Sequence, residues 1–298
     1  MHCDALTSKG VAQVSRELLL SGGCMLQCYA AFVKEGGFAR FCELADDFDA
    51  RVRLENLNAV TSAAQLREGT INALLTSEGG AFERAEELTL MYERGVRMAG
   101  LVWNTPTALG YPNFPDYEGS LLGRVPLMER DGEHGLSDKG FAAVEQMFAL
   151  GMLVDVSHAS DKLFFEVASY RKPFVASHSD AAGVYDCARN LTDEQLRMLA
   201  DCGGVTGLNF CADFLSDDTS ERGQRDAILE HVAHVIRVAG EDVLAIGSDF
   251  EGAPQNNYLP DASHLPKLFC LIADRFGSRV AEKIAYANFL RIFSDVCG

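Results

Sequence analysis

The stretch MLVDVSHASDKLFFEVASYRKPFVASHSD, Met152–Asp180, decides the fold. Two short apolar runs, Met152–Val156 and Pro173–Ala176, each end in Ser-His, giving Ser157-His158 and Ser177-His178. Between them, Leu163, Phe164, Val167 and Ala168 recur at helical spacing within Asp161–Tyr170. The unit reads strand–helix–strand, and a crossover of this kind makes the two strands parallel. Parallel neighbours lie roughly 4.8 Å apart, so two histidines at matching strand ends can reach one metal ion. A hydrogen-bonded histidine with no ligand role is the ordinary reading of either residue alone. The repeat of Ser-His at two strand ends argues against coincidence.

The alternation continues in both directions. Toward the N-terminus lie apolar runs at Met1–Leu6, which carries His2-x-Asp4, and at Cys24–Val33. Next come Thr70–Thr76, which runs into Ser77-Glu78-Gly79-Gly80, and Val96–Trp103. Toward the C-terminus lie Val205–Phe210 and Val243–Gly247, the latter followed by Ser248-Asp249-Phe250. Helical patterns occupy Val11–Leu20, roughly Gly36–Leu57, a shorter piece around Ser62–Glu68, Phe82–Glu93 and Asp138–Leu150. Thr192 with Gln195 forms a capping-box signature. A further helix spans Arg222–Ala239 and stops at Gly240, and the region from about Ser263 to Phe293 is helical. Asn104–Ser137 has many Gly, Pro and charged residues and no period; a connection that long is either disordered or functional, and a loop over the active site is the favoured reading.

Eight strands separated by helices predict an α/β fold, a single-domain (β/α)8 TIM-like barrel over residues 1–298, with its active site at the C-terminal strand ends. A doubly wound sheet is the competitor, but no G-x-G-x-x-G or P-loop follows a strand.

Composition narrows the function. Of the 298 residues 48% are hydrophobic, ample for a large core. Lys and Arg number 26 against 43 Asp and Glu, a net charge of −17 that argues against nucleic acid and anionic membranes as partners. Apolar stretches are interrupted by charge before they reach a membrane-spanning length. The opening Met1-His2-Cys3-Asp4 has no basic or apolar run, so no signal peptide is expected. Nine cysteines without a C-x-x-C pair read as reduced thiols of a cytoplasmic protein. Cys24 and Cys28 are expected to fill a strand rather than bind zinc, and Cys3 to point away from its neighbours His2 and Asp4. His134, His231, His234 and His264 fall outside the site. His231 and His234, at i and i+3, read as a partly exposed helix face.

The polar residues at strand ends are His2, Asp4, Glu78, His158, His178 and Asp249. In a closed barrel they converge on one cavity. Imidazoles and carboxylates are the ligands zinc prefers in the absence of thiolate. The set exceeds one tetrahedral ion, and a carboxylate-bridged pair of ions would use it economically. Two metals can polarise a carbonyl and activate a shared water, which hydrolysis of an amide requires.

On these residues the chain resembles the renal (membrane) dipeptidase family of the metal-dependent amidohydrolases. The resemblance covers nearly the whole length. Its pieces are His2-Cys3-Asp4, Gly23–Tyr29 with Gln27, Glu78-Gly79-Gly80, Gly95-Val96-Arg97, Gly151–His158 and Ser177-His178-Ser179. It continues through Arg189-Asn190, Gly247–Gly252 and Asn288-Phe289-Leu290-Arg291. The resemblance implies two zinc ions: His2 and Asp4 on one, His158 and His178 on the other, and Glu78 bridging. Asp249 matches the proton-passing aspartate, and Arg189 the arginine that holds the dipeptide's C-terminal carboxylate. Where many relatives carry a histidine beside the reacting carbonyl, this chain has Trp103, which can stack on substrate or donate one hydrogen bond but cannot become a cation.

The resemblance therefore implies a zinc dipeptidase acting on free dipeptides, L,D as well as L,L, and a homodimer. The rival is an amidohydrolase of another small carboxylate-bearing amide, an N-acyl amino acid or a lactam. A silent binding protein that keeps the barrel is disfavoured by the intact set of His2, Asp4, Glu78, His158, His178 and Asp249.

Overall fold

The structure, a computed structural model, describes residues 12–254 and 256–298. Its strands are β1 (Leu26–Val33), β2 (Asn58–Ala59), β3 (Asn72–Gly79), β4 (Met98–Gly100), β5 (Leu153–Asp155), β6 (Val175–Ala176), β7 (Val205–Leu208) and β8 (Leu244–Ile246). Seven of them lie side by side in the order β1-β3-β4-β5-β6-β7-β8, with β2 added beside β3. All pairings are parallel. The result is an α/β fold with a curled parallel sheet, consistent with a TIM-like barrel. The strand expected at Met1–Leu6 lies outside the described residues.

Strand composition explains the architecture. All eight residues of β3 are buried, as are Leu153–Asp155 and Val205–Leu208. Near-continuous apolar runs are what a parallel sheet covered by helices needs. Helix starts follow their caps: Ser137 Oγ accepts from Gly140 N, and Ser160 Oγ from Leu163 N. The capping box of Thr192 and Gln195 is present. Gly151, at φ 71°, ends the helix Asp138–Leu150 in the left-handed conformation that glycine tolerates.

Several elements are shorter than their patterns predict. β5 and β6 stop early because the amides of Ser157 and Ser177 donate to the Asp155 carboxylate, at 3.0 and 2.9 Å, instead of to a neighbouring strand. The first helix runs only over Arg16–Ser21, since the amides of Gln13 and Val14 are held by Glu251 Oε1. Ser62–Glu68 reduces to a 3-10 turn at Ala63–Gln65. The helix expected to reach Leu57 ends at Leu54, and β2 follows it.

The C-terminal region is helical, as expected, but Gly277 at φ 89° divides it. Its last helix, Asn288–Cys297, closes the N-terminal edge of the sheet. There Ile292 packs with Met98, Leu153, Val175 and Val205, each the first residue of its strand.

Candidate metal centre

The opposite edge carries the chemistry. Glu78 is the penultimate residue of β3; His158 and His178 follow β5 and β6. One ligand atom from each lies within 4.8 Å of the others. His158 Nε2 is 2.7 Å from Glu78 Oε1, His178 Nε2 is 3.5 Å from it, and the two Nε2 atoms are 3.0 Å apart. Close backbone approach makes this possible. A Cβ on Gly207 or Gly247 would sit 1.9 Å from the carbonyl oxygen of Ser177, and one on Gly79 2.5 Å from that of Val33.

The tautomers follow from the outer partners. His158 Nδ1 lies 2.7 Å from Asn104 Oδ1, an acceptor, so Nδ1 carries the hydrogen. His178 Nδ1 lies 2.7 Å from Ser177 Oγ, whose own hydrogen goes to Asp155 Oδ2 at 2.5 Å. That hydroxyl must accept, so His178 also carries its hydrogen on Nδ1. Both Nε2 lone pairs then face each other and a carboxylate oxygen. Such a set, with the Arg189 guanidinium beside His158 Nε2, suits a divalent ion with imidazole and carboxylate preference. Glu78, His158 and His178 therefore fit a metal ion on donor chemistry and orientation.

Around this cluster the structure places the other expected residues. Asp249 lies just past β8 with φ 56°, the left-handed region that aspartate enters more readily than most side chains. Its Oδ2 accepts from Asn209 Nδ2 at 3.3 Å. Burial, then the Glu78 charge, pushes its carboxyl up to about 7, against the opposing pull of Arg189 and Asn209. Arg189 is 2% exposed, not a surface arginine. Its guanidinium donates to the Ser157 carbonyl, and Nη2 stands 3.2 Å from His158 Nε2. The turn that carries it is held from the long loop by Arg130, which donates to the carbonyls of Cys187 (2.6 Å) and Asn190 (2.8 Å). Trp103 stands with its ring centroid 6.2 Å from that of His158. It packs edge-on against Phe32 and against Tyr117, which lies on a short helix of the Asn104–Ser137 loop. That loop therefore does reach the site, through Asn104 and Tyr117.

Glu78, His158, His178, Arg189, Trp103 and Asp249 thus stand in one region, whereas His2 and Asp4 lie outside the described residues. Asn104, Asp155 and Asn209 are additions that sequence reasoning missed. Asp155 sits inside the motif that opened the reading, two residues before Ser157, and that position was the available signal. One expectation is corrected: His231 and His234 are not on a partly exposed face but buried. His231 Nδ1 accepts from Ala181 N and its Nε2 donates to the Leu215 carbonyl, while His234 faces Asp193 at 2.6 Å. Cys24 precedes β1 and donates to the Leu26 carbonyl; burial pushes its thiol up to about 11.

A parallel α/β sheet whose C-terminal edge gathers two histidines and a glutamate is an amidohydrolase-type fold with a candidate metal site. Known proteins make the class specific. The family model described as membrane dipeptidase (peptidase family M19) matches residues 4–297. A Klebsiella pneumoniae protein, named as an uncharacterized protein in the pqqA 5′ region, is 35% identical over 254 residues, covering 80% of this chain and 89% of that protein. An uncharacterized dipeptidase of Schizosaccharomyces pombe is 34% identical over 206 residues, 68% of this chain but only 47% of the relative. Among solved structures, the dipeptidase AC, a metallopeptidase of family M19, superposes with TM-score 0.85 at 26% identity over 98% of this chain and 91% of its own. A Rhodobacter sphaeroides metallopeptidase, liganded with a phosphinate mimic of the dipeptide L-Ala-D-Ala, gives 0.82 at 25% identity over 98% and 92%. The chain belongs to the membrane dipeptidase family, peptidase family M19, and is a metallo-dipeptidase.

Proposed function

We propose that the chain hydrolyses free dipeptides, L,D as well as L,L, at a pair of zinc ions. Glu78, His158 and His178 would hold metal together with His2 and Asp4. Glu78 would bridge the two ions, with His2 and Asp4 on one and His158 and His178 on the other. Zinc supplies Lewis acidity, which polarises the peptide carbonyl and makes water a competent nucleophile at neutral pH. The observation that carries the reading is the convergence of two imidazole lone pairs and the Glu78 carboxylate beside a buried arginine.

The chain's own residues do the rest. Asp249, at the end of β8 and within the same cavity as Glu78 and His178, takes a proton from the attacking water and returns it to the leaving amine. Arg189 offers a forked cation to the substrate carboxylate, one residue past the scissile bond. Buried at 2% exposure and stacked 5.5 Å from the Phe214 ring, that cation is weakly screened by solvent. Trp103 forms an aromatic wall with Phe32 and Tyr117 on which a side chain of the dipeptide stacks. The likeness to a relative solved with an L-Ala-D-Ala mimic supports an L,D substrate. The free thiols of all described cysteines suit a reducing, cytoplasmic setting, and we place the enzyme there as a homodimer with one (β/α)8 domain.

The test is a comparison of kcat/KM for a free dipeptide and its C-terminal amide. Wild type should prefer the free acid, and Arg189→Met should lose that preference, at roughly 2–5 kcal/mol for a desolvated charge contact. If wild type cleaves both equally, carboxylate recognition is wrong and an amidohydrolase of other small amides gains.

A further inference from the structure

We infer that Asp155, acting through Ser177, fixes the tautomer of His178 and so presents its Nε2 lone pair to the metal. The inference rests on the metal-binding reading above. It concerns a positioning residue, one that reaches no substrate and no ligand atom directly.

The geometry is a bracket between the two Ser-His dipeptides. Asp155 pairs with Val175 in the sheet, so Ser157 and Ser177 leave it side by side, hydroxyls 3.0 Å apart. Asp155 Oδ1 meets three donors: Ser157 N at 3.0 Å, Ser157 Oγ at 2.7 Å and Ser177 N at 2.9 Å. Oδ2 meets one, Ser177 Oγ at 2.5 Å. Both hydroxyl hydrogens are thereby committed to the carboxylate. Each hydroxyl oxygen is left to accept, and both accept from His178: Ser157 Oγ from its backbone N at 3.0 Å, Ser177 Oγ from Nδ1 at 2.7 Å. A metal-binding imidazole is commonly oriented by a partner that takes its other N–H. Here the partner is a buried carboxylate acting through a serine.

His158 provides an internal control. Its Nδ1 is held by Asn104 Oδ1, from the long loop, and owes nothing to Asp155. A loss of Asp155 should therefore change one histidine and spare the other.

Asp155→Asn makes the inference sharp. Oδ1 faces three donors, so the amide oxygen must stay there and the NH2 group takes the place of Oδ2. It then donates to Ser177 Oγ, whose released hydrogen goes to His178 Nδ1, a stronger acceptor than Ser157 Oγ at 3.0 Å. The ring hydrogen must move to Nε2, where it blocks the lone pair.

The experiment uses the full chain with 15N-labelled histidine, freed of metal, at neutral pH. Long-range 1H–15N correlations assign each ring tautomer, and competition with a chromophoric chelator gives the affinity for added Zn2+. Wild type should show Nδ1–H on both His158 and His178. Asp155→Asn should move His178 alone to Nε2–H and weaken Zn2+ binding roughly 10–100-fold. Ser177→Ala should weaken it similarly, and Asp155→Asn added to Ser177→Ala should cost nothing more. If Asp155→Asn does not fold, Ser177→Ala alone must still release the Nδ1–H preference of His178. His178 keeping Nδ1–H in these variants overturns the inference, as does a full additional loss in the double variant. A merely structural Asp155 would lower Tm and leave the tautomer unchanged. If wild type shows the inferred tautomers yet binds no Zn2+, the relay stands and the metal reading fails.

Discussion

The two ends of the sheet are built from opposite chemistry. At the N-terminal edge Met98, Leu153, Val175 and Val205 meet Ile292 in an apolar seal. At the C-terminal edge Glu78, Asp155, Ser157 and His158 are also buried, and every one is polar. On β5 the switch takes two residues, from Leu153 to Asp155. Burial of apolar groups stabilises whatever their partners, whereas burial of polar groups is tolerable only with donors and acceptors matched. The polar edge meets much of that demand with the Asp155 bracket, Asn104 and Asn209, while Ser77 Oγ and Asp180 Oδ2 stay buried without a hydrogen bond among the described residues. One edge therefore governs stability and the other activity, as is general for sheets of this type.

Paired substitutions break or sharpen that contrast. At the polar edge, Asp249→Asn should lower kcat roughly 10²–10⁴-fold, the usual worth of a positioned proton-transfer group. Metal content by elemental analysis should not change, since Asn keeps the contact to Asn209; a variant that loses metal would make Asp249 a ligand. At the apolar edge, Ile292→Ala should cost about 2–5 kcal/mol in denaturant unfolding. Its kcat per folded molecule should stay at the wild-type value, and a large fall in kcat there would dissolve the division between the two edges.

A smaller effect links the polar edge to its support. His231 holds Ala181, three residues past His178, from a helix outside the sheet. Burial pushes its pKa down from 6.5 to about 4. The unfolded chain takes up this proton near 6.5 and the folded chain resists until about 4. The stability is thus fully present above 6.5 and lost as pH falls toward 4, at about 3 kcal/mol in total. Unfolding free energy from pH 7 to 4 should fall more steeply in wild type than in His231→Gln. Parallel curves for the two proteins would remove His231 from the account.

The contrast also shows what could be read without coordinates. The strands were visible because a sheet covered on both faces needs unbroken apolar runs, and Glu78, His158 and His178 stood where such runs end. The carboxylate-holding role of Arg189 followed only from the resemblance, and nothing announced its burial, since eleven residues of loop after His178 carry no period. Asp155 had a local signal in its place two residues before Ser157, whereas Asn104 and Asn209 act through partners 54 and 40 residues away, and no local pattern announces such contacts. The short first helix has the same cause: Glu251, 238 residues from Gln13, captures its leading amides. His231 is different. Ile228, Val232 and Val235 are buried on the same helix, and His231 falls on their face at i+3 of Ile228 and i−4 of Val235. The period that placed it inside was present and outweighed by its polarity.

On the proposed function, Glu78, His158 and His178 serve metal-dependent hydrolysis of a dipeptide. The direct measurement is the rate of cleavage of a free dipeptide by the full chain before chelation, after removal of the chelated metal, and after readdition of Zn2+. The account predicts turnover at first, its loss on chelation, and its return with the metal. Undiminished cleavage by metal-free protein, or none by the Zn2+-loaded protein, would contradict it.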